Sequence, residues 1–166
     1  IGSQITKVDP YVETMQRIAA FLPECEKIGA KIEWLDIGGG FGIWYKDKLA
    51  RPAKEIAAAM LPHLQKMNCK VLLEPGRFIV ADAGYLLTSV LYRKNSGSKN
   101  FIIVDAAMND LARPALYDAY HAVHPLQLRN GRGVTADIVG PVCESGDYLA
   151  RQRTLPLPER GDALAI

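Results

Sequence analysis

"LDIGGGFGIWY", residues 35–45, ends a predicted strand on three consecutive glycines and adds a fourth at Gly42. The apolar run at residues 32–37 is typical of a buried strand. Glycine costs backbone entropy and packs no side chain, so a glycine cluster at a strand end needs a reason. A tight turn is one explanation. The other is a ligand that must approach the backbone closely, and phosphate is a ligand that bare backbone amides bind well.

The composition is typical of a globular protein and disfavours several function classes. Of the 166 residues, 49% are apolar and 23% are charged, which is enough for a sizeable core. The net charge of +2 comes from scattered lysines and arginines, so we expect no nucleic-acid partner. The apolar stretches are too short to span a bilayer, and no signal-peptide pattern is present. Cys25, Cys69 and Cys143 are too far apart for a paired metal site or a disulfide framework, which favours the cytoplasm.

The first half of the chain predicts two successive units of helix followed by strand. The first helix is expected to begin with Asp9 as its N-cap and Pro10 in its first turn, and to stop at Gly29. Pro23 lies inside this pattern, where it can kink or split the helix. The next elements are a strand over 32–37, a helix over 52–67 and a strand over 71–74. Consecutive units of this kind imply a parallel sheet with right-handed crossovers.

The second half, from about residue 84, is rich in strands. "YLLTSVLYRKNSGSKNFIIVDA" (85–106) has two apolar runs around a turn and predicts a β-hairpin. "GVTADIVGPVCESGDYLARQR" (133–153) predicts two more strands, and "RPALYDAYH" (113–121) a short helix. The chain therefore divides into an α/β part and a β part.

The α/β part has too few strands to be a complete barrel. Three strands cannot close a (β/α)8 barrel, which takes about 250 residues. It is therefore either a small open sheet or the last part of a barrel whose front is missing. The chain has no initiator Met and carries apolar residues at both ends. We expect it to be a piece of a longer protein.

Three loops that follow successive predicted strands carry groups suited to a phosphate. They are "GSQ" (2–4), "GGGFG" (38–42) and "EPGR" (74–77). In a parallel sheet the loops after the strands share one face, where active sites are built. These loops supply the hydroxyl of Ser3, bare amides at the glycines and the guanidinium of Arg77, all of them donors to phosphate. Dinucleotide-binding and P-loop spacings are absent, which disfavours a dinucleotide or ATP.

The sequence alone leaves the roles of Glu74 and Cys143 open. Glu74 follows a strand, where its carboxylate can hold a metal, bond the pyridine nitrogen of a cofactor, or lie in solvent. Cys143 lies between Gly-Pro and Glu-Ser-Gly, a loop context that leaves a thiol accessible. A lone cysteine is nevertheless more often a small buried apolar residue.

Five motifs in order along the chain resemble those of the diaminopimelate decarboxylase family. They are "IGSQ" (1–4), "LDIGGGFG" (35–42), "EPGR" (74–77), "DAAMNDLARPALYDAYH" (105–121) and "GPVCESGD" (140–147). This family belongs to the pyridoxal-phosphate decarboxylases with an alanine-racemase-like barrel and a β-sandwich domain. The resemblance implies an α/β + β fold. Residues 1–83 would be the last strands and helices of the cofactor-binding (β/α)8 barrel, and 84–166 the first part of the C-terminal β domain.

The resemblance implies pyridoxal 5′-phosphate as the cofactor and assigns residues to it. The residues around the phosphate would be Ser3, Gly38, Gly39 and Gly40, together with Glu74, Pro75, Gly76 and Arg77. Glu74 would lie against the pyridine nitrogen, and a protonated ring is the better electron sink when CO2 departs. No metal is implied.

The resemblance also implies meso-2,6-diaminopimelate as substrate and L-lysine and CO2 as products. Arg113 and Tyr117 would hold the end of the substrate that does not react, and Arg77 would share that carboxylate. Cys143 would be the acid that reprotonates the substrate, and Glu144 would bind the distal amine. Distinguishing this substrate from lysine requires such a charged pocket. "CESGD" would reach into the partner subunit's site, which implies a homodimer.

Two features of this family are not in the chain. The lysine that forms the Schiff base with the cofactor is missing, and so is a later tyrosine stretch, so we expect an internal segment that is inactive alone. The alternatives are a sister decarboxylase acting on carboxynorspermidine, arginine or ornithine, a non-catalytic relative that lacks the lysine, and an unrelated phosphate-sugar barrel protein. "RPALY" with "CESGD" favours diaminopimelate, because a distal carboxylate needs the arginine.

Overall fold

The fold begins with helix α1, which spans Asp9–Lys27 in the computed structural model. The prediction that Asp9 is the N-cap is wrong, because the N-cap is Val8, whose backbone is already close to helical angles. Asp9 is instead the first helical residue, where its charge suits the positive end of the helix dipole. Pro10 lies in the first turn as predicted, and the helix continues through Pro23 without a break.

The end of α1 is set by Gly29, as predicted. Gly29 adopts a left-handed φ of +83°, which only glycine reaches without strain. Its N–H donates to the carbonyl of Glu26 at 2.9 Å, and the N–H of Ala30 donates to that of Cys25 at 3.0 Å. This pair of bonds is a Schellman motif, and it satisfies two of the carbonyls left over at the helix end.

The structure describes residues 1–46, 49–127 and 133–166, and its contacts separate a first unit, Ile1–Gly84, from a second, Tyr85–Ile166. After α1, the first unit contains β1 (Trp34–Asp36), α2 (Ala53–Leu64), β2 (Lys70–Leu72) and α3 (Gly76–Val80). β1 and β2 pair in parallel, as predicted, with Leu35 opposite Val71. Both strands are shorter than the apolar runs suggested, and α3 was not predicted.

The core of the first unit lies between its two long helices and the end of β1. Its buried members are Tyr11 and Met15 on α1, Ile37 after β1, and Ile56 and Met60 on α2. The ring of Tyr11 stacks on the ring of Phe41, with centroids 5.4 Å apart. Because Phe41 belongs to the glycine-rich stretch, this stacking attaches that stretch to α1.

Trp34 and Trp44, on either side of the glycine-rich stretch, are exposed rather than packed in the core. Their exposed fractions are 53% and 66%. The ammonium of Lys70 lies 4.7 Å from the centroid of the Trp34 ring, which is a cation–π contact at the edge of the sheet.

The second unit is built on a mixed sheet. Its elements are β3 (Leu87–Ser96), β4 (Lys99–Val104), α4 (Arg113–Tyr117), β5 (His124–Pro125), β6 (Gly133–Val139), β7 (Tyr148–Pro156) and β8 (Ala163–Ala165). The strand order is β5-β8-β3-β4-β6-β7, with β4 and β6 parallel and the other pairs antiparallel. The predicted hairpin is confirmed: Ser96 pairs with Lys99 across a two-residue turn in which Gly97 has a φ of +64°.

The core of the second unit is aliphatic and comes from alternate positions on the central strands. Its most buried side chains are Val90, Ile102, Val104, Ile138, Leu149 and Leu164. Alternation of this kind places one face of each strand in the core. Among the described residues, no helix is both long and apolar enough to cross a bilayer.

Candidate active site

The three loops that were expected to share one face lie side by side in the first unit. Ile5 donates its N–H to the carbonyl of Gly40 at 2.9 Å, and Gly42 donates to the carbonyl of Ile5 at 3.0 Å. On the other side, the N–H of Glu74 donates to the carbonyl of Gly38 at 2.9 Å. The glycine loop, residues 38–42, is therefore the middle of three adjacent segments.

The glycines of this loop are required by close backbone approach. A Cβ on Gly39 would overlap the carbonyl oxygen of Glu74, and one on Gly40 would overlap that of Gly2. Gly38 and Gly40 also have left-handed φ values of +71° and +83°. Substitution at these positions would push the neighbouring loops apart.

The amides of the glycine loop are not equally available to a ligand. The N–H of Gly38 donates to the carboxylate of Asp36 at 2.8 Å, which braces the start of the loop. No described residue accepts a hydrogen bond from the N–H of Gly39 or of Gly40. Of the three glycine amides at 38–40, those of Gly39 and Gly40 can therefore turn to an anion without breaking a bond.

Arg77 joins the first and third loops. Its guanidinium donates to the hydroxyl of Ser3 at 3.2 Å and to the side-chain oxygen of Gln4 at 3.4 Å. The amide of Gln4 in turn donates to the carbonyl of Ile43 at 2.5 Å and accepts from the N–H of Ile43 at 3.2 Å. Sequence reasoning missed Gln4, although it is adjacent to Ser3 in the same motif.

Glu74 lies at the opposite edge of the glycine loop from Ser3. Its Oε2 is 3.9 Å from the point where a Cβ of Gly38 would be. With Asp36, it lines an open concavity of about 400 Å³ whose other walls come from Ile1, Thr14, Ile18, Ile37 and Gly38. Pro75 precedes α3, so Gly76 and Arg77 occupy the first helical turn and are held by its backbone.

The second unit places Arg113 and Tyr117 together on α4. They are the first and last residues of this one-turn helix, and the guanidinium lies 5.4 Å from the centroid of the tyrosine ring. Tyr117 is 69% exposed. Pro114 is buried beneath them, and its carbonyl accepts a hydrogen bond from the hydroxyl of Tyr148 at 2.9 Å. Their spacing of four positions places them on the same face of the helix.

Cys143 and Glu144 lie on a connection between β6 and β7, which we call the cysteine loop, residues 140–147. Both residues are exposed, and the thiol is free. The interpretation of Cys143 as a buried apolar residue is therefore wrong. The N–H of Glu144 donates to the carbonyl of Val142 at 2.8 Å, and its carboxylate accepts from the N–H of Gly146 at 3.2 Å.

Two titratable residues near α4 have shifted pKa values. Hydrogen bonds from the Thr88 hydroxyl and the Ser89 N–H lower the pKa of Asp105, which fixes the local backbone as expected. Burial lowers the pKa of His121, and the positive charges of Arg113 and Arg153 lower it further. No described group bonds the buried Nε2 of His121. Burial and the neighbouring arginines therefore both disfavour the charged imidazole.

Comparison with known proteins identifies the family. Residues 11–166 match the model of the pyridoxal-dependent decarboxylase C-terminal sheet domain. The chain belongs to this family. It is 46% identical over its whole length to diaminopimelate decarboxylase from Aquifex aeolicus and spans 40% of that relative. The crystal structure of diaminopimelate decarboxylase from Helicobacter pylori, complexed with L-lysine, superposes with a TM-score of 0.91 at 39% identity, covering 100% of this chain and 41% of that one.

A more distant pyridoxal-dependent decarboxylase shares the fold. The lysine/ornithine decarboxylase from Vibrio vulnificus, complexed with cadaverine, has a TM-score of 0.88 at 27% identity, covering 99% of this chain and 45% of that one. The fold class predicted from the sequence is confirmed: the chain is the C-terminal part of a pyridoxal-phosphate-binding (β/α)8 barrel followed by part of a β domain. It spans about 40% of the length of the curated relatives that it matches.

Proposed function

We propose that the full-length protein is a pyridoxal-phosphate-dependent diaminopimelate decarboxylase, which converts meso-2,6-diaminopimelate to L-lysine and CO2 in the last step of lysine biosynthesis. The observation that carries this choice is the Arg113 guanidinium over the Tyr117 ring on α4. A distal carboxylate separates diaminopimelate from lysine, ornithine and arginine, and arginine binds carboxylates through a charged fork. The higher identity to diaminopimelate decarboxylases than to the lysine/ornithine enzyme supports the same choice.

The first unit fits the cofactor. The amides of Gly39 and Gly40, the Ser3 hydroxyl and the Arg77 guanidinium are donors suited to its phosphate, and close packing leaves no room for a Cβ on either glycine. Gly38 would shape the loop, with its amide held by Asp36. When bound, pyridoxal phosphate supplies an electron sink at the carbon that loses CO2.

The loop at 74–77 would complete this cofactor site. Glu74 would bond the pyridine nitrogen, because its carboxylate already lies beside Gly38. Pro75 and Gly76 would contribute through the turn that leads into α3. Arg77 would also approach the distal carboxylate of the substrate, at the end that does not react.

The second unit would supply the residues that recognise and protonate the substrate. Arg113 and Tyr117 would orient its distal end, and Glu144 would bind the distal ammonium. Cys143 would donate the proton of its Sγ to the α-carbon from which CO2 has left, because its thiol is exposed on a loop. A reducing compartment, the cytoplasm, suits an exposed catalytic thiol.

The assembly and the domain roles belong to the same proposal. Residues 1–83 would be the last strands and helices of the barrel, and 84–166 the first part of the C-terminal β domain. The cysteine loop would enter the site of a partner subunit, which makes the active enzyme a homodimer with shared sites.

The test uses the complete reading frame that contains this chain. It is incubated with pyridoxal phosphate and meso-2,6-diaminopimelate, and L-lysine is quantified. We expect lysine at about 1 s⁻¹ or faster, in the usual range of enzymes. L-ornithine, L-arginine and carboxynorspermidine serve as competing substrates. Decarboxylation of one of these instead would establish a sister enzyme, and no turnover with no cofactor absorbance would establish a non-catalytic relative.

A pair of cysteine variants tests the acid. Cys143→Ala should reduce kcat by about 100-fold or more, since a positioned acid contributes that much. Cys25→Ala on α1 is the matched control and should leave kcat unchanged. Full turnover by Cys143→Ala would overturn the assignment of the proton donor.

A further inference from the structure

Asp147 is a buried carboxylate at the end of the cysteine loop. Its exposed fraction is 4%. Oδ1 accepts a hydrogen bond from the N–H of Met108 at 2.7 Å, and Oδ2 accepts one from the N–H of Val142 at 2.7 Å. Both oxygens of one side chain are therefore used to bind backbone amides. Such charge-assisted bonds are among the stronger ones in proteins.

The backbone of Asp147 closes the same loop. Its carbonyl accepts from the N–H of Gly140 at 3.2 Å, and its N–H donates to the carbonyl of Glu144 at 3.0 Å. A Cβ on Gly140 would overlap the carboxylate and would lie 2.8 Å from the carbonyl oxygen of Ala106. The residue thus holds the loop at its first residue, at Val142 just before Cys143, and at Glu144 just after it.

The carboxylate also attaches the loop to the segment that leads into α4. Met108 belongs to the connection between β4 and α4. The neighbouring Tyr148 adds a second attachment, because its hydroxyl donates to the carbonyl of Pro114. The cysteine loop is therefore attached to the segment around α4 through Met108 and Pro114, although its tip is exposed.

We propose that Asp147 is the positioning residue that sets the place of the Cys143 thiol. This inference rests on the proposed function, because it is the proton donor that must be placed. Cys143, Glu144 and Ser145 are all exposed, so packing against the described residues of the same subunit does not fix the tip. The hydrogen bonds that the Asp147 carboxylate accepts from two backbone N–H groups fix the position of the loop. A displacement of about 1 Å at a reacting group can cost about 100-fold in rate.

The experiment measures two properties of the full-length holoenzyme. The variant is Asp147→Asn, which keeps the shape of the side chain but turns an NH2 group towards an N–H donor. The control is Asp162→Asn, because Asp162 is also buried and also accepts a backbone N–H, that of Glu159, outside the cysteine loop. The first property is kcat and KM for meso-2,6-diaminopimelate per cofactor-loaded site. The second is the rate of Cys143 alkylation by iodoacetamide in a background in which every other cysteine of the full-length protein, Cys25 and Cys69 included, is changed to Ser.

The expected result is a loss of kcat of about 10- to 100-fold for Asp147→Asn, with KM within about threefold of the parent. The alkylation rate of Cys143 should change at least about threefold, and the control should change neither property. In a Cys143→Ala background, Asp147→Asn should cause no further loss, because the thiol that Asp147 positions is then absent. An equal loss in that background, or an unchanged kcat, would overturn the positioning role.

A replacement variant and the alkylation rate distinguish loss of positioning from a failure to fold and from a failure of the proposed function. If Asp147→Asn does not fold, Gly140→Ala replaces it, because the new methyl group displaces the carboxylate without removing it. If the parent makes no lysine, the proposed function fails, and the rate of Cys143 alkylation alone tests the positioning role of Asp147. Parent-like alkylation of the variant would then overturn the positioning role, and a changed rate would support it.

Discussion

The guanidinium of Arg77 donates a hydrogen bond to the hydroxyl of Ser3 at 3.2 Å, although 74 positions separate the two residues. The bond joins the loop after β2 to the segment before α1, on either side of the glycine loop. A hydroxyl, a guanidinium and the amides of Gly39 and Gly40 are therefore assembled within one unit. A ligand phosphate would meet donors that are already placed, which reduces the entropy lost on binding.

Arg77→Lys should weaken cofactor binding by the full-length protein. Lysine keeps the charge but loses the fork that reaches Ser3 and Gln4 together. We expect the Kd for pyridoxal phosphate to rise roughly tenfold, or about 1.4 kcal/mol. Titration followed by absorbance measures it. Arg51→Lys, in an exposed ion pair with Glu55, is the control, and equal affinity of the two variants would contradict the role of Arg77.

Gly39→Ala should reduce cofactor affinity more than an alanine elsewhere in the unit. The added methyl group would overlap the carbonyl of Glu74 and separate the glycine loop from the loop at 74–77. We expect at least a tenfold rise in the same Kd and a lower melting temperature. Gly84→Ala is the control, since no atom lies within 4 Å of its Cβ position and its φ is not left-handed. Parent-like binding by Gly39→Ala would contradict this expectation, because it would show that the loop at 74–77 can move away from the methyl group without loss of affinity.

Arg113→Gln should alter substrate recognition more than chemistry. Loss of a charged partner for the distal carboxylate should raise KM for meso-2,6-diaminopimelate by about 10- to 100-fold, since a hydrogen bond to a charged group is worth about 1.5–3 kcal/mol. Steady-state kinetics measure the change. Arg160→Gln is the matched control, because Arg160 also lies over a tyrosine ring, that of Tyr92, in the same unit. A fall in kcat at constant KM would indicate a different role.

The lowered pKa of His121 predicts a dependence of stability on pH. The folded protein disfavours the charged imidazole, so the unfolded chain binds more protons between the lowered pKa and the ordinary value of 6.5. The stability that His121 contributes is complete above about pH 6.5 and is lost as the pH falls through the folded pKa. Urea unfolding of the full-length protein at several values from pH 7.5 to 5 should show a steeper loss for the parent than for His121→Gln.

A second variant separates burial from charge at His121. Arg153→Gln removes one positive neighbour and should raise the pKa of His121 towards its ordinary value. The loss of stability on acidification should then be smaller and should end at a higher pH, since the pKa of the unfolded chain is unchanged. Arg160→Gln serves as the control because Arg160 does not act on His121. Identical curves for the two arginine variants would show that the charge of Arg153 does not act on His121.

Local patterns predicted the helices and the hairpin well because their causes are local. Gly29 ends α1 through its own left-handed backbone, and the turn at Gly97 joins β3 to β4 in the same way. The strands before the glycine loop and before Glu74 were predicted too long. A strand ends where its partner no longer offers a ladder, and β1 and β2 share only three paired positions each.

Other errors came from features that no local pattern reveals. Asp9 resembles an N-cap, but the preceding residue already has helical angles. The segment of α3 is too short to show a helical period. The exposed position of Cys143 contradicts the usual burial of a lone cysteine, and only the motif around it indicated otherwise.

By itself, the sequence determined the order of the motifs, the α/β and β halves, and the residue types that suit a phosphate and a dicarboxylic substrate. Only the tertiary structure decided how these groups are held. It showed that Asp36 occupies the amide of Gly38, that Gln4 supports Arg77, and that Asp147 holds the cysteine loop. The physical reason is that hydrogen bonds reach only about 3 Å. Met108 and Asp147 lie 39 positions apart in the sequence, and Gln4 and Arg77 lie 73 apart. Only folding brings the members of each pair within hydrogen-bond distance.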